Sequence, residues 1–319
     1  MVLLITNKED ITVDFVVQEL KHRNIPYYRL NTEDIPDVVS VIFEISKNEY
    51  CLYDHAKELS LDLHSISSVY FRRPKLSGLD YISPLGNRDN RYLRSELFFL
   101  LEGIYKTLRH AYWINDVYKI REAENKIYQM QIAQEIGFAI PYSIISNSGD
   151  AVSTMLLNHE NCIIKPIKTG NVADINSPNV IFTSRMDKGY INQSKRIESF
   201  PCYIQENIEK QCDVRCIVVG DEIFAAGIDS QIVPDGKIDW RKAATILPHR
   251  RIDLPCELRK KIAIMTKELG LVYAALDFIL DKSDNYVFLE CNPNGQWAWI
   301  QKRLGYRISE CIVDHLQTN

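Results

Sequence analysis

The chain has 319 residues, of which 46% are hydrophobic and 25% are charged, and its net charge is −4 with a pI near 6.0. These values are ordinary for a globular protein, and the slightly acidic balance argues against a general binder of nucleic acids or anionic membranes. A single hydrophobic core stops growing at roughly 250 to 300 residues, so the length predicts two or three compact lobes.

Cysteine use and hydropathy indicate the compartment. The eight cysteines form no CxxC pair and have no histidine spacing typical of a zinc site, so we expect free thiols in a reducing compartment. The apolar start MVLLIT lacks the basic flank of a signal peptide, and no later stretch approaches about 20 uninterrupted apolar residues. The sequence predicts a cytoplasmic protein without a membrane segment.

The amino-terminal part opens with a β-α-β pattern. The spacing of apolar residues predicts a strand, a helix and a strand at residues 2–5, 10–22 and 26–30. Further strands follow, and the strand at residues 68–71 leads into Arg72 and Arg73. One apolar stripe over residues 89–112 predicts a long helix. We expect a small α/β domain at residues 1–115.

The middle part, residues 116–204, begins with one predicted amphipathic helix between Asp116 and Gly137, which ends at a glycine cap. A strand, a short helix and a second strand are predicted at residues 142–145, 150–157 and 162–166. A loop rich in Gly, Asn and Ser then leads to a strand at residues 180–183. We expect the last two strands and this loop to form a flap.

Antiparallel strands dominate the carboxyl-terminal part, residues 205–319. Residues 214–219 and 222–228 flank a tight polar turn and predict a hairpin. A helix over residues 258–269 is followed by a final pair of strands at residues 274–280 and 286–291.

This final pair of strands ends in the motif FLECNPNG, where an apolar run stops in a carboxylate and two carboxamides. If the hairpin is symmetric about Ser283 and Asp284, Asp277 lies opposite Glu290. Because strand side chains alternate, Asn292 falls on the face of Glu290. Oxygen ligands of this kind suit Mg²⁺, and facing carboxylates need a counter-charge. The alternative is an exposed hairpin with solvated carboxylates, but the apolar flanks favour burial.

A magnesium site of this kind implies a substrate phosphate, because Mg²⁺ commonly shares its ligands with a nucleotide. Lys165 ends an apolar strand beside a loop, residues 169–171, whose amides can cover phosphate oxygens. Lys126 on the preceding helix is a second candidate. The alternative for each lysine is a solvated surface position, and a single glycine makes the flap signal weak.

The order of these motifs resembles a known family. Lys126 precedes a helix that ends Gly-x-x-x-Pro, and the segments IIKP, YIQENI, DVRCIVVGDEIFAA, ALDFIL and FLECNPNG follow. Together they resemble the ATP-grasp carboxylate ligases over about residues 116–310. The segments NPNGQWAWI, FRRP and RLNTED are similar to the graspetide synthetases, the microviridin-type (MvdD-like) maturases of ribosomal peptides. The resemblance implies an α/β (α+β) ATP-grasp fold with an N-terminal pre-ATP-grasp domain, a central lobe and a C-terminal antiparallel-sheet lobe.

The resemblance also implies where ATP and two magnesium ions bind. The segment expected at the adenine consists of Gln205, Glu206, Asn207 and Ile208, and Asp213 is expected to meet the ribose hydroxyls. Phosphates are expected at Lys126 and Lys165, and the two magnesium ions at Asp277, Glu290 and Asn292. An edge strand with outward polar side chains remains the alternative for Gln205 and Glu206.

Two arginines are expected to be catalytic. Arg215 lies inside an apolar strand, where an unpaired guanidinium would be costly to bury, so it requires an anionic partner. The resemblance implies that this partner is an acyl phosphate, and that Arg241 lies near the transferred phosphoryl group. A structural ion pair is the alternative for each, and for Arg215 the nearby Asp213 is one such partner.

The implied function is that of an ATP-dependent carboxylate–amine or carboxylate–alcohol ligase. It would activate Asp or Glu side chains of a ribosomal precursor peptide, with its leader and core, as acyl phosphates and close ester or amide crosslinks. The runner-up is a glutathione-synthetase-like or RimK-like ligase that adds an amino acid, and a nucleotide-sensing binding module is a further alternative. A homodimer is an expectation from the family. Arg72 and Arg73 either receive acidic peptide side chains or pack internally.

Overall fold

The computed structural model describes residues 1–76, 87–168, 171–172, 179–186 and 188–318. Its contacts divide the chain into two compact units. One unit comprises Met1–Ile120, Leu271–Tyr273 and Gln296–Asn319, and the other comprises Arg121–Gly270 and Ala274–Gly295. The expected three-part division at residues 1–115, 116–204 and 205–319 stays a prediction.

The helices and strands follow one another along the whole chain. The first are β1 (Val2–Thr6), α1 (Ile11–His22), β2 (Tyr27–Asn31), β3 (Val39–Glu44), β4 (Glu49–Asp54), β5 (Leu59–Asp62), β6 (Ser68–Phe71), α2 (Asn87–Thr107), β7 (Tyr112–Ile114) and α3 (Val117–Ala123). The next are α4 (Lys126–Ile136), β8 (Ser143–Ser146), α5 (Gly149–Asn158), β9 (Cys162–Lys165), β10 (Asn171–Val172), β11 (Asn179–Val180), β12 (Ser184–Met186), α6 (Ser194–Glu198) and β13 (Cys202–Glu206). The last are β14 (Lys210–Val219), β15 (Glu222–Ile228), β16 (His249–Arg251), α7 (Cys256–Glu268), β17 (Tyr273–Asp281), β18 (Tyr286–Asn292), α8 (Ala298–Leu304) and α9 (Ile308–Thr318).

The first unit is built on a parallel sheet of order β2-β1-β6-β7. The predicted β-α-β opening is confirmed, because β1 and β2 are parallel neighbours joined by α1. Asp10 caps α1 by accepting a hydrogen bond from the Thr12 amide. A second, antiparallel sheet has the order β3-β4-β5. The fully buried Trp297 donates its indole hydrogen bond to the Tyr70 hydroxyl in the core of this unit.

Arg72 belongs to this core. Its side chain has no exposed surface, and its Nε lies 3.5 Å from Asp10 Oδ2. Its Nη2 donates to Gln296 Oε1 at 3.4 Å, and the rings of Tyr70 and Tyr273 lie about 6 Å from the guanidinium carbon. Of the two roles open to Arg72, internal packing is confirmed.

The second unit contains two antiparallel sheets. The order β12-β9-β13-β8 forms the first, and α5 and α6 cover one of its faces with a small apolar core. The predicted strand at residues 180–183 was wrong, since β11 ends at Val180 and β12 begins at Ser184. Thr169 and Gly170 of the predicted flap lie outside the described residues.

The other sheet of the second unit has the order β16-β15-β14-β17-β18, so β18 is an edge strand. The predicted β14–β15 hairpin is confirmed, with Val219 paired to Glu222 across its turn. Phe138, Phe278 and Phe288 form an aromatic cluster with ring centroids 5.4 to 5.7 Å apart.

The single helix predicted between Asp116 and Gly137 was wrong, because the chain forms α3 and α4 in its place. The Asn125 side chain accepts hydrogen bonds from the Ile127 and Tyr128 amides and thereby starts a new helix. The predicted glycine cap is confirmed, since Gly137 ends α4 with φ of 82°. No helix in the described part of the chain is both long and apolar enough to cross a membrane.

Candidate active site

The β17–β18 hairpin brings Asp277 and Glu290 together, and we call these two residues the acid pair. They face each other in the strand register, as predicted. The symmetric register fails closer to the turn, where Phe278 pairs with Phe288 and Leu289 is left over as a β-bulge. A bulge changes the face to which the following residues point. Phe288 can therefore enter the core while Glu290, two residues later, joins Asp277 on the opposite face.

Asn292 bridges the acid pair. Its Nδ2 donates to Asp277 Oδ2 and to Glu290 Oε1, each at 3.1 Å. The exposed fractions of the two acidic side chains are 16% and 18%. Burial raises the pKa of Asp277 to about 6, against the opposing effect of the Arg215 guanidinium and with a further rise from Glu290.

Glu290 has the opposite electrostatic balance. Burial acts to raise its pKa, but the Lys126 and Lys165 ammonium groups outweigh burial and hold the pKa of Glu290 well below its usual range. Lys126 is the first residue of α4, and its Nζ lies 3.0 Å from Glu290 Oε2. The same Nζ donates to the Pro166 carbonyl at 3.3 Å. The Asn125 cap therefore fixes the helix start that delivers this lysine to the acid pair.

Arg215 finds its anionic partner in Asp277. Its Nη1 donates to both carboxylate oxygens at 3.1 Å, so the alternative partner Asp213 is not used. The buried Nε of Arg215 has no hydrogen-bond partner among the residues that the structure describes. Gly295 is required beside it, because an added Cβ would overlap Ala275 and lie 2.9 Å from Arg215 Nη2.

Lys165 lies on β9 and faces the neighbouring strand β13. Its Nζ donates to Gln205 Oε1 at 3.1 Å and lies 4.3 Å from the centroid of the Tyr203 ring. Burial lowers the pKa of Lys165 to about 8; Glu290 opposes this shift, and the other nearby cations add to it. Gln205 Nε2 in turn donates to Ser143 Oγ at 2.9 Å. The Gln205 side chain is thus directed at Lys165 and is 1% exposed.

Arg241 is oriented by Asp239. The guanidinium donates through Nε and Nη2 to the two carboxylate oxygens, each at 2.8 Å. Hydrogen bonding to Asp239 raises the pKa of Arg241, and Glu290 and Asp277 add to the rise. Arg241 therefore stays charged, half-exposed, and within the electrostatic influence of the acid pair.

The remaining predicted cofactor residues lie near β13 and β14. Asp213 is buried, and Lys210 Nζ donates to its Oδ1 at 2.8 Å. Burial raises the pKa of Asp213, while Lys210 opposes that rise. Glu206 ends β13, and its amide donates to Tyr142 O, while the Asn207 amide donates to Asn161 O. Ile208 follows in the connection to β14.

The acid pair and Asn292 fit a divalent cation. The ligand set is oxygen-rich, and the raised pKa of Asp277 shows that the negative charge of the pair is not fully compensated by its neighbours. Within the described residues no three or more His, Cys, Asp or Glu side chains gather as a metal cluster. The protein would therefore supply only part of a coordination shell, which suits Mg²⁺ bound together with phosphates.

Sequence patterns missed one residue of this region, Gln129 on α4. Its Nε2 donates to Cys291 O at 2.7 Å and to Ala123 O at 2.5 Å, and its Oε1 accepts from the Cys291 amide at 2.9 Å. Gln129 is 2% exposed, although the apolar stripe of the helix continues at Ile132. A polar residue within an apolar stripe is the signal that would have revealed it, because buried polar groups require partners.

Family models match nearly the whole chain. A model described as the MvdD pre-ATP grasp domain matches residues 1–121, and one described as the RimK-like ATP-grasp domain matches residues 123–316. The chain belongs to the RimK-like ATP-grasp family. This membership confirms the predicted ATP-grasp fold and the class of ATP-dependent ligases, and the MvdD match confirms the resemblance to graspetide synthetases.

Solved structures support the same fold for this ATP-grasp ligase. It resembles a RiPP-associated ATP-grasp ligase of Chryseobacterium gregarium, solved in complex with ADP and a leader and core peptide, with a TM-score of 0.89 and 26% identity over 99% of this chain and 96% of that one. It also resembles the macrocyclase MdnC of Microcystis aeruginosa MRC, solved with the precursor peptide MdnA, with a TM-score of 0.88 and 25% identity over 100% and 99% of the two chains.

A curated relative is more distant in sequence. A probable alpha-L-glutamate ligase of Histophilus somni (strain 2336) is 23% identical over 213 residues, which cover 66% of this chain and 68% of the relative.

Proposed function

We propose that this ATP-grasp ligase matures a ribosomal peptide. It would activate Asp or Glu side chains of a precursor as acyl phosphates and close intramolecular ester or amide crosslinks, as in graspetide macrocyclisation. The observation that carries the proposal is the acid pair with Asn292, set among lysines and arginines, in a chain whose first 121 residues match the MvdD pre-ATP grasp domain. The likeness to two peptide-bound ligases over almost their full length supports the same conclusion.

We assign the nucleotide to the second unit. Adenine is assigned to the segment that contains Gln205, Glu206, Asn207 and Ile208, and the ribose to Asp213. Because the Gln205 side chain is turned toward Lys165, we assign it the task of orienting this lysine and leave contact with the base to its neighbours. Lys126 and Lys165 are assigned to the phosphates, which they would neutralise at close range.

We assign two magnesium ions to Asp277, Glu290 and Asn292. When bound, the ions would neutralise charge on the transferred phosphoryl group. Asn292 now donates its amide nitrogen to both acids, so its side chain would have to rotate to present its oxygen instead. Such a rotation changes little of the surrounding structure, because the carboxamide is nearly symmetric in shape.

The reaction requires no protein nucleophile. A peptide carboxylate attacks the γ-phosphate of ATP, ADP leaves, and a hydroxyl or amine of the same peptide then displaces phosphate from the acyl phosphate. Such transfer depends on positioning and charge neutralisation. We assign Arg215 and Arg241 to the anionic oxygens of the acyl phosphate. The buried Nε of Arg215 is available for a hydrogen bond to such an oxygen.

The partner we propose is a precursor peptide with leader and core segments. We further propose a homodimer that works in the cytoplasm, and the free state of all eight cysteines agrees with a reducing compartment. Light scattering at micromolar concentration tests the dimer directly, since a monomer mass would exclude it.

Mass spectrometry tests the proposed reaction. The protein is incubated with ATP, Mg²⁺ and the peptide encoded by a neighbouring small reading frame, and the peptide mass is followed with time. Loss of one water per new bond, together with ADP release, is the expected result. Gain of an amino-acid residue by a peptide or protein tail would instead establish the RimK-like alternative. Nucleotide binding with neither change would overturn both reactions and leave a nucleotide-sensing module.

A further inference from the structure

The open edge of β18 carries the groups that matter most to the proposed metal site. Glu290 and Asn292 lie on one face of this strand, and Cys291 lies between them. β18 has a strand neighbour, β17, on one side only, so the outer side of its main chain needs other hydrogen-bond partners. Farther along the same edge, the Phe288 amide donates to the carbonyl of Ala139.

Gln129 takes the place of a neighbouring strand at Cys291. Its carboxamide both donates to the Cys291 carbonyl and accepts from the Cys291 amide, which is the pattern that an added strand would provide. A third hydrogen bond, to Ala123 O, fixes the carboxamide to the end of α3. With 2% exposure and every carboxamide atom engaged, Gln129 has little freedom to move.

The same helix that carries Gln129 also carries Lys126. The two residues are three positions apart on α4, and therefore lie on neighbouring parts of one helix face. Lys126 reaches Glu290 at 3.0 Å while Gln129 holds the main chain of the next residue, Cys291. A single rigid helix turn thus sets the spacing between a proposed phosphate ligand and two proposed metal ligands.

We propose that Gln129 is a positioning residue that couples the lysine-bearing helix α4 to the metal-binding edge of β18. It touches neither nucleotide nor metal and acts through the main chain of Cys291. Its loss would let Glu290 and Asn292 shift relative to Lys126, and would weaken Mg²⁺ binding in the nucleotide complex. This inference rests on the metal site of the proposed function.

The test compares Gln129→Met with a matched control, Gln301→Met. Met has nearly the volume of Gln and favours helices. Gln301 makes an equivalent paired contact in the other unit, since it donates to Ser309 Oγ and accepts from the Ser309 amide. Each variant is titrated with Mg²⁺ at a fixed concentration of ADP, and nucleotide binding is measured by calorimetry.

The half-saturating Mg²⁺ concentration should rise about 10-fold or more in Gln129→Met and stay unchanged in Gln301→Met, because loss of a residue that orients metal ligands costs about 10- to 100-fold in metal affinity. ADP binding measured in EDTA should be the same in all three proteins. An unchanged Mg²⁺ requirement in Gln129→Met, or an equal change in the control, would overturn the inference. Absence of Mg²⁺-dependent binding in the unmutated protein would instead refute the proposed metal site itself.

Gln129→Glu keeps the test decisive if the Met variant does not fold. The introduced carboxyl group, while protonated, retains one donor and one acceptor for Cys291, whereas its ionised form would repel the Cys291 and Ala123 carbonyls. The Mg²⁺ requirement of this variant, divided by that of the unmutated protein, should therefore rise with pH. A ratio of one at every pH would contradict the positioning role.

Discussion

Binding of MgATP should be confined to a pH window set by Asp277 and Lys165. Metal binding requires the ionised carboxylate, and the pKa of Asp277 in the free protein is about 6. One unit below that pKa, only about a tenth of the carboxylates are ionised. Productive MgATP binding should therefore fall about 10-fold between pH 7 and about pH 5.

The alkaline side of the window follows from the opposite sign of the lysine. Lys165 binds phosphate in its charged form, and burial lowers the pKa of this ammonium group to about 8. One unit above that value about a tenth of the lysines keep their charge, so binding should fall again by up to about 10-fold near pH 9. Burial moves both groups toward neutrality and thereby narrows the working range from both sides.

The assay is kcat/KM for ATP as a function of pH, since this parameter reports ionisations of the free enzyme and substrate. The concentration of free MgATP is held constant at each pH, so that titration of the nucleotide does not enter. Lys165→Arg is the matched variant. Its absolute kcat/KM should be lower, but the alkaline decline should disappear, because a guanidinium keeps its charge throughout. A flat profile in the unmutated protein, or an alkaline decline that persists in Lys165→Arg at the same pH, would refute this reasoning.

Three substitutions test other parts of the structure. Glu290→Gln should lower turnover at least about 100-fold, because a neutral carboxamide cannot neutralise a metal ion and leaves two ammonium groups without their counter-charge; turnover within about 10-fold of normal would remove Glu290 from the metal site. Lys126→Met should weaken nucleotide binding yet strengthen Mg²⁺ binding in the absence of nucleotide, and calorimetry that shows both affinities falling would contradict an exchange of Lys126 between Glu290 and phosphate. Arg72→Met should lower the free energy of unfolding in urea by about 3–5 kcal/mol, since it leaves a buried aspartate unpaired, while MgATP affinity of the folded protein stays unchanged. A loss below about 1 kcal/mol would show that the buried pair contributes little.

The hairpin shows how far a strand pattern can be taken. Alternation and a symmetric turn correctly predicted that Asp277 faces Glu290. The symmetry itself was wrong on the turn side, where the bulge at Leu289 shifts the register by one residue. A bulge leaves no mark in hydropathy alone, because it arises from the need to bury Phe288 while exposing Glu290 to the site two residues later.

Side-chain partners within the site were less predictable than strands. An apolar strand with an internal arginine correctly indicated that Arg215 needs an anion, but its partner, Asp277, is 62 residues away in sequence. Gln205 was expected at the base because of its motif, whereas the structure directs its side chain at Lys165. Such partners depend on which strands become neighbours, and local sequence does not encode that choice.

The charge distribution of the site implies that nucleotide and metal ion bind cooperatively. In the free protein Lys126 lies 3.0 Å from Glu290 and, with Lys165, keeps that carboxylate ionised. An incoming phosphate competes for the same two lysines, and as it draws them away the acid pair is left with excess negative charge in a buried place, which is costly without a cation. Mg²⁺ relieves that cost, so each ligand should favour the other by the same factor. The ammonium group of Lys126 thus occupies the Glu290 carboxylate until a phosphate displaces it, and the free enzyme should bind Mg²⁺ weakly for this reason.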